Sequence, residues 1–150
     1  MGKVRGFSNF AIMAAGILMT SPLRAEVLAH CGPSYGKTFF VDHGNRWTDD
    51  AISGGSMTFT IDAKGNGNIL LGDATGGVTD VAADGGEIIL FHLTPNRRDF
   101  LMAVVFVATG VVETFNVVTG TGGERQVLWT TSRPEGSIMA KVAAFRSLCD

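Results

Sequence analysis

Along residues 56–62, Ser-Met-Thr-Phe-Thr-Ile-Asp, the apolar Met57, Phe59 and Ile61 alternate with polar neighbours. A period of two places one set of side chains in a core and the other in water, the signature of a half-buried strand. Comparable short runs recur at 68–71, 78–83, 87–93, 100–108, 111–118 and 125–131. Between them lie AKGNG, GDATGG, ADGG, TPNRR, TGTGGE and SRPEG, whose Gly, Asn, Asp and Pro supply the positive or fixed φ that tight turns need. Short strands joined by short turns predict an antiparallel meander rather than βαβ units. The fold class expected is therefore all-β: a single small antiparallel meander barrel of about eight or nine strands, with a two-sheet β-sandwich as the alternative. No sequence repeat of fixed period is visible, which argues against a propeller or solenoid.

Two segments fit the pattern less well. Residues 100–107 are apolar on both faces of a strand, so something must cover the outer face. In the last segment, SIMAKVAAFRSLC, the residues Ile138, Val142, Phe145 and Cys149 would also form a helical stripe. A strand is favoured there, because a last strand beside the first brings Cys149 to Cys31.

The N-terminus has a different character. Lys3 and Arg5 precede an apolar run from Phe10 to Met19, and a Ser-Pro break leads to Ala25. This is the three-part pattern of a secretory signal peptide, a short signal helix removed on export. The apolar run is about ten residues, half of the roughly 20 that span a bilayer. Residues 1–25 are thus expected to be cleaved, leaving residues 26–150 as one exported β domain, periplasmic or secreted, with no transmembrane segment after signal removal. Cleavage takes Lys3, Arg5 and Arg24 away, so 12 basic residues become nine against 14 acidic, a net charge near −5. A mildly acidic domain has no electrostatic reason to seek nucleic acid.

The only two cysteines, Cys31 and Cys149, both remain after cleavage. In an oxidising compartment an even pair at the two ends of a domain reads as a disulfide. This bears on the stretch CGPSYGKT, residues 31–38, which resembles the end of a phosphate-binding P-loop. That motif needs four spacers between its glycines and opens a helix. Here three residues separate Gly32 from Gly36, and strand-like Phe39-Phe40-Val41 follows, so no nucleotide is expected and the stretch reads as a stapled edge turn.

The remaining candidate chemistry is sparse. Asp62, Asn66, Gly67 and Asp73 occupy places of a calcium loop, but Lys64 sits where a ligand is needed and the flanks read as strands. No histidine pair has metal-ligand spacing, and neither a metal nor a cofactor is expected. His92 shares a face with Ile88 and Leu90 and reads as a core or boundary residue. The densest polar cluster around one aromatic is VDHGNRWTDD. Its Asp42, His43, Arg46, Trp47, Asp49 and Asp50 form the candidate binding surface, unless Trp47 merely caps one end of the barrel. A hydrolase built from His43 with Ser53 or Ser56 lacks a Gly-x-Ser-x-Gly elbow.

The block WTDDAISGGSMTFTID, with VLWTT and VAAFRSLC, resembles small exported bacterial β-rich proteins of uncharacterised function. That resemblance implies export, a β-rich domain and a terminal disulfide, and carries no catalytic residue. The function expected is a non-catalytic binding or interaction module whose partner is a protein or glycan of the envelope or exterior. An apolar-ligand carrier barrel is the first alternative, and an envelope hydrolase the second. Intact-mass measurement of the exported form is expected to show a chain lacking about the first 25 residues; a full-length mass in a soluble fraction would contradict it.

Overall fold

A computed structural model describes residues 25–41, 44, 46–135 and 140–150. The signal segment, Asp42, His43 and Ile138 lie outside these. Among the described residues there is no helix, and all regular structure is antiparallel strand. In chain order the strands are β1 (Glu26–Cys31), β2 (Ser34–Phe40), β3 (Arg46–Ile52), β4 (Ser56–Ile61), β5 (Gly67–Gly72) and β6 (Val78–Asp80). Then follow β7 (Glu87–His92), β8 (Phe100–Phe106), β9 (Val111–Thr119), β10 (Arg125–Arg133) and β11 (Lys141–Cys149).

Nine of these form one curled, half-barrel sheet in the order β6-β5-β4-β1-β11-β10-β9-β8-β7. Strands β7 to β11 are a pure meander, as are β4 to β6. Strand β1 joins the two runs by pairing with β4 on one side and, through Cys31 and Cys149, with β11 on the other. No ladder joins β6 to β7, so among the described residues the sheet curls over its core without closing. The strand count exceeds the expected eight or nine because a hairpin, β2–β3, branches off: β2 also pairs with β11, and among the described residues β3 pairs with β2 alone.

The branch has a local cause. β1 and β2 run along the same edge of β11, broken at Gly32-Pro33. Proline has no N–H to give a ladder and is confined to sheet edges and interruptions. Gly32 N–H still bonds Leu148 C=O at 3.0 Å, and Ser147 Oγ donates to Gly32 C=O at 2.8 Å. Beyond this break β2 stays on β11, while β1 lies against β4. The Cys31–Cys149 disulfide sits at this fork, its sulfurs linking residues 118 apart in sequence. The stretch 31–38 is therefore not an edge turn throughout: only Gly32-Pro33 breaks the chain, and Gly36-Lys37-Thr38 lie inside β2 between two neighbours. At Gly36 a Cβ would strike the Ala144 carbonyl, which explains the glycine without any phosphate.

The concave face carries the core. Met57, Phe59 and Ile61 of β4 are buried as the alternation predicts. An aromatic ladder crosses the sheet: Phe59 meets Phe100 and Phe115 edge-on at 5.6 and 5.7 Å, Phe115 stacks on Trp129 at 5.5 Å, and Trp129 on Phe145 at 4.9 Å. The described part of the final segment, Lys141–Cys149, is strand, as expected. Arg125 on β10 clasps the structure from outside this core, donating to the carbonyls of Leu28, Asp150 and Arg98. Two of the hairpin turns are capped by acids. Asp62 accepts N–H groups of Lys64 and Asn66, and Asp73 those of Thr75 and Gly77. These two ends of the calcium-like stretch cap separate turns at opposite ends of β5, and their hydrogen bonds, led by those from the Asn66 and Thr75 side chains, hold both carboxyls below the usual range.

Urea unfolding without reductant should show Cys31→Ser costing about 2–5 kcal/mol, because it frees a long loop in the unfolded chain. Cys149→Ser should cost the same and the double variant little more, since one bond is lost only once. Lys37→Ala, which removes an exposed partner of Asp49, should stay within about 0.5 kcal/mol. Phe115→Ala, at a fully buried rung between Phe59 and Trp129, should cost about 3–5 kcal/mol.

Candidate binding surface

The residues that sequence pattern grouped as one cluster are divided by the pleat of β3. Arg46, Trp47, Asp49 and Asp50 all lie on this strand, but successive side chains point to opposite faces. Register settles which face is which. Trp47 lies opposite Phe39, and Asp49 opposite Lys37; Arg46, Thr48 and Asp50 lie opposite Phe40, Thr38 and Gly36. Thr38 is buried and paired with core-facing Ala143, so Arg46, Thr48 and Asp50 belong to the concave side. Trp47 and Asp49 belong to the convex side, away from the core. Trp47 does not cap the barrel: it is 55 % exposed and packs at 5.7 Å against the Phe39 ring. Asp49 meets Lys37 Nζ at 2.6 Å, while Asp50 accepts Thr38 Oγ1 at 2.7 Å and its neighbour's Ala51 N–H at 2.8 Å. These polar groups organise the ribbon.

The convex face itself is the larger feature. Following the register across β3, β2, β11, β10, β9, β8 and β7 gives a row Ala51, Tyr35, Arg146, Leu128, Asn116, Leu101, Phe91. The neighbouring rows run Asp49, Lys37, Ala144, Thr130, Thr114, Ala103, Ile89 and Trp47, Phe39, Val142, Ser132, Val112, Val105, Glu87. On this face Tyr35, Trp47, Ile89, Phe91, Val112, Leu128, Val142 and Leu148 are each between 41 % and 63 % exposed. Its charged groups are the Lys37–Asp49 ion pair, Glu87 and Arg146. The doubly apolar run 100–107 signalled this surface. Phe100, Met102 and Val104 fill the core, whereas Leu101, Ala103 and Val105 join the convex face, and no described element covers them. Thr114, Thr130, Ser132, Asn116 and the Lys37–Asp49 pair interrupt this face, but apolar side chains half exposed together on one face are a feature of docking surfaces.

At the Gly32-Pro33 break the face is indented by a hollow of about 450 Å³ lined by Gly32, Pro33, Tyr35, Arg146, Ser147 and Leu148. Among the described residues no carboxylate lies within ion-pair reach of Arg146. Inside the sheet, a space of about 70 Å³ beside Trp129 is bounded by Ser34, Ile52, Met57 and Leu71, well below the roughly 300 Å³ at which ligand pockets begin.

The other candidates are dispersed. His92 ends β7 exposed rather than packed in a core, and His30 shares a hydrogen bond of 2.9 Å with Thr58. Among the described residues no three His, Cys, Asp or Glu side chains stand together to hold a metal ion. Sequence reasoning passed over Glu113, whose carboxyl is buried on the concave side. It accepts Thr131 Oγ1 at 3.0 Å and has Arg133 Nη2 at 3.9 Å. Burial pushes its pKa up, outweighing the Thr131 hydrogen bond and the charges of Arg133 and Lys141. No protein-family model, curated protein or solved structure matches this chain.

A raised folded-state pKa means that the native chain holds its proton more tightly than the unfolded one. Stability from Glu113 is then fully present below the unfolded value and is lost as pH rises through the folded one. Glu113→Gln, which keeps an acceptor for Thr131, should therefore gain stability relative to the parent as pH is raised from about 4 to 7. Thermal unfolding across that range checks the sign; a variant that loses ground with rising pH would show Arg133 to dominate.

Proposed function

We propose that this protein is a non-catalytic interaction module, exported by removal of residues 1–25, which docks a protein partner on the convex face of its sheet. The observation that carries the reading is the set of half-exposed apolar side chains, Tyr35, Trp47, Ile89, Phe91, Val112, Leu128 and Val142, that β2, β3 and β7 to β11 present together on the convex face. The disulfide at the fork belongs to oxidising compartments such as the periplasm or exterior, in keeping with such a role. A protein fits this surface better than a glycan. The face is built mostly of aliphatic and small polar side chains, and its aromatics, Tyr35 on β2, Phe91 on β7 and Trp47 over the half-buried Phe39 at one corner, are scattered rather than gathered into a platform for a sugar ring. The carrier alternative loses support because the concave interior is filled by Phe59, Phe100, Phe115, Trp129 and Phe145.

The exported protein used as bait on periplasmic and culture extracts tests this. Leu128→Asp and Val142→Asp place charges at the centre of the face where the side chains are already half exposed, so folding should survive with losses of at most about 1 kcal/mol. Each is expected to abolish capture of a specific partner that the parent retains: at 142 a desolvated carboxylate has no cation in register, and at 128 the new carboxylate faces Arg146, so burial must strip water from both charges. His92→Leu, at the exposed end of β7, should leave capture unchanged. Equal capture by the parent and both aspartate variants would refute the docking face.

A further inference from the structure

Among the described residues no strand pairs with the outer edge of β3, and the directions of its backbone groups follow from neighbouring strands. Leu148 of β11 and the even-numbered residues flanking it, Ala140 and Asp150, bond Gly32, Val41 and His30 on the β1/β2 side. Since hydrogen-bonding groups alternate sides along a strand, the even residues of β11 serve β2. Their register partners there are Tyr35, Lys37 and Phe39. Even residues of β2 therefore serve β3, and Arg46, Thr48 and Asp50 turn their backbone groups inward to it. Trp47, Asp49 and Ala51 turn theirs to solvent. In accord with this, Ala51 N–H bonds the Asp50 side chain rather than a strand.

We infer that β3 pairs antiparallel with β3 of a second copy of this chain, about a two-fold axis at Thr48. An isologous pairing must set outward-facing residues against each other, which restricts the axis to a residue rather than a gap between two. An axis at Asp49 opposes two like carboxylates, destabilising in directly facing positions, and also needs the Ala51 N–H that Asp50 already holds. An axis at Trp47 leaves Arg46 opposite Thr48. With Thr48 on the axis, Trp47 and Asp49 exchange backbone bonds, and Arg46 of each copy faces Asp50 of the other. Those ion pairs occupy a non-hydrogen-bonded position, where facing side chains come closest. Asp49, neutralised by Lys37 within its own chain, stands opposite Trp47. Charges on an edge strand usually block indiscriminate pairing; here their order rejects the other registers and admits one. The inference stands independently of the convex docking face, since it rests on the edge of β3 and not on its surface.

Sedimentation equilibrium of the exported protein over a wide concentration range tests it. The parent is expected to show a concentration-dependent monomer–dimer equilibrium. Arg46→Asp and Asp50→Arg should each weaken it by at least about tenfold, because each creates facing like charges twice in the symmetric pair. Combining the two should restore it. Because Asp50→Arg also removes the bonds to Thr38 and Ala51, Asp49→Pro serves as a second probe: it deletes an outward N–H while sparing the β2 ladder. That variant should be monomeric with a nearly unchanged melting temperature. A parent that stays monomeric throughout, or a dimer indifferent to Arg46→Asp and Asp49→Pro, would overturn the inference.

Discussion

The break at Gly32-Pro33 is the constraint on which the rest of the architecture depends. A strand running unbroken along β11 would have kept one partner on its far side and given an ordinary rolled sheet. Because Pro33 cannot donate to a ladder, the edge of β11 is shared between two strands that then part company. β1 carries β4, β5 and β6 over the core, and β2 carries β3 away from it. Gly32 keeps its bond to Leu148, Ser147 secures the Gly32 carbonyl, and the Cys31–Cys149 bond holds the fork shut at that same level.

Core and surface follow from this division. The wing led by β1 rolls Ala29, Met57, Phe59 and Ile69 onto the inner faces of β8 to β11, where the aromatic ladder fills the concave side. The ribbon led by β2 covers less of the core. Its residues on β3 are almost all exposed on both sides, so the strand contributes an edge and one corner of a face rather than packing. The same fork therefore produces the filled interior, the broad convex surface and the unpaired strand.

Glu113 shows that the concave side is not uniformly apolar. Its row continues through Thr131, Ala143, Thr38 and Thr48 toward the ribbon, so polarity rises where the core thins out. The Thr131 hydroxyl and the nearby Arg133 and Lys141 make a buried carboxyl tolerable there, whereas deeper in the ladder it would face only rings and aliphatics.

Much of this was written locally in the chain. Alternation in 56–62 identified β4 and its buried face, turn residues marked the hairpins, and the two lone cysteines implied their bond, because each depends on spacing over a few residues or on elementary counting. The run 100–107 even announced an apolar outer face. What local pattern does not contain is which strand neighbours which. The insertion of β1 between β4 and β11, the branching of β2 and β3, and the open edge beyond β7 are long-range pairings whose information is spread over the whole chain. For the same reason the cluster 42–50 could be recognised as polar around an aromatic but not divided. Only the pairing of β3 with β2, and of β2 with β11, decides that Trp47 and Asp49 look outward while Arg46 and Asp50 look toward the core.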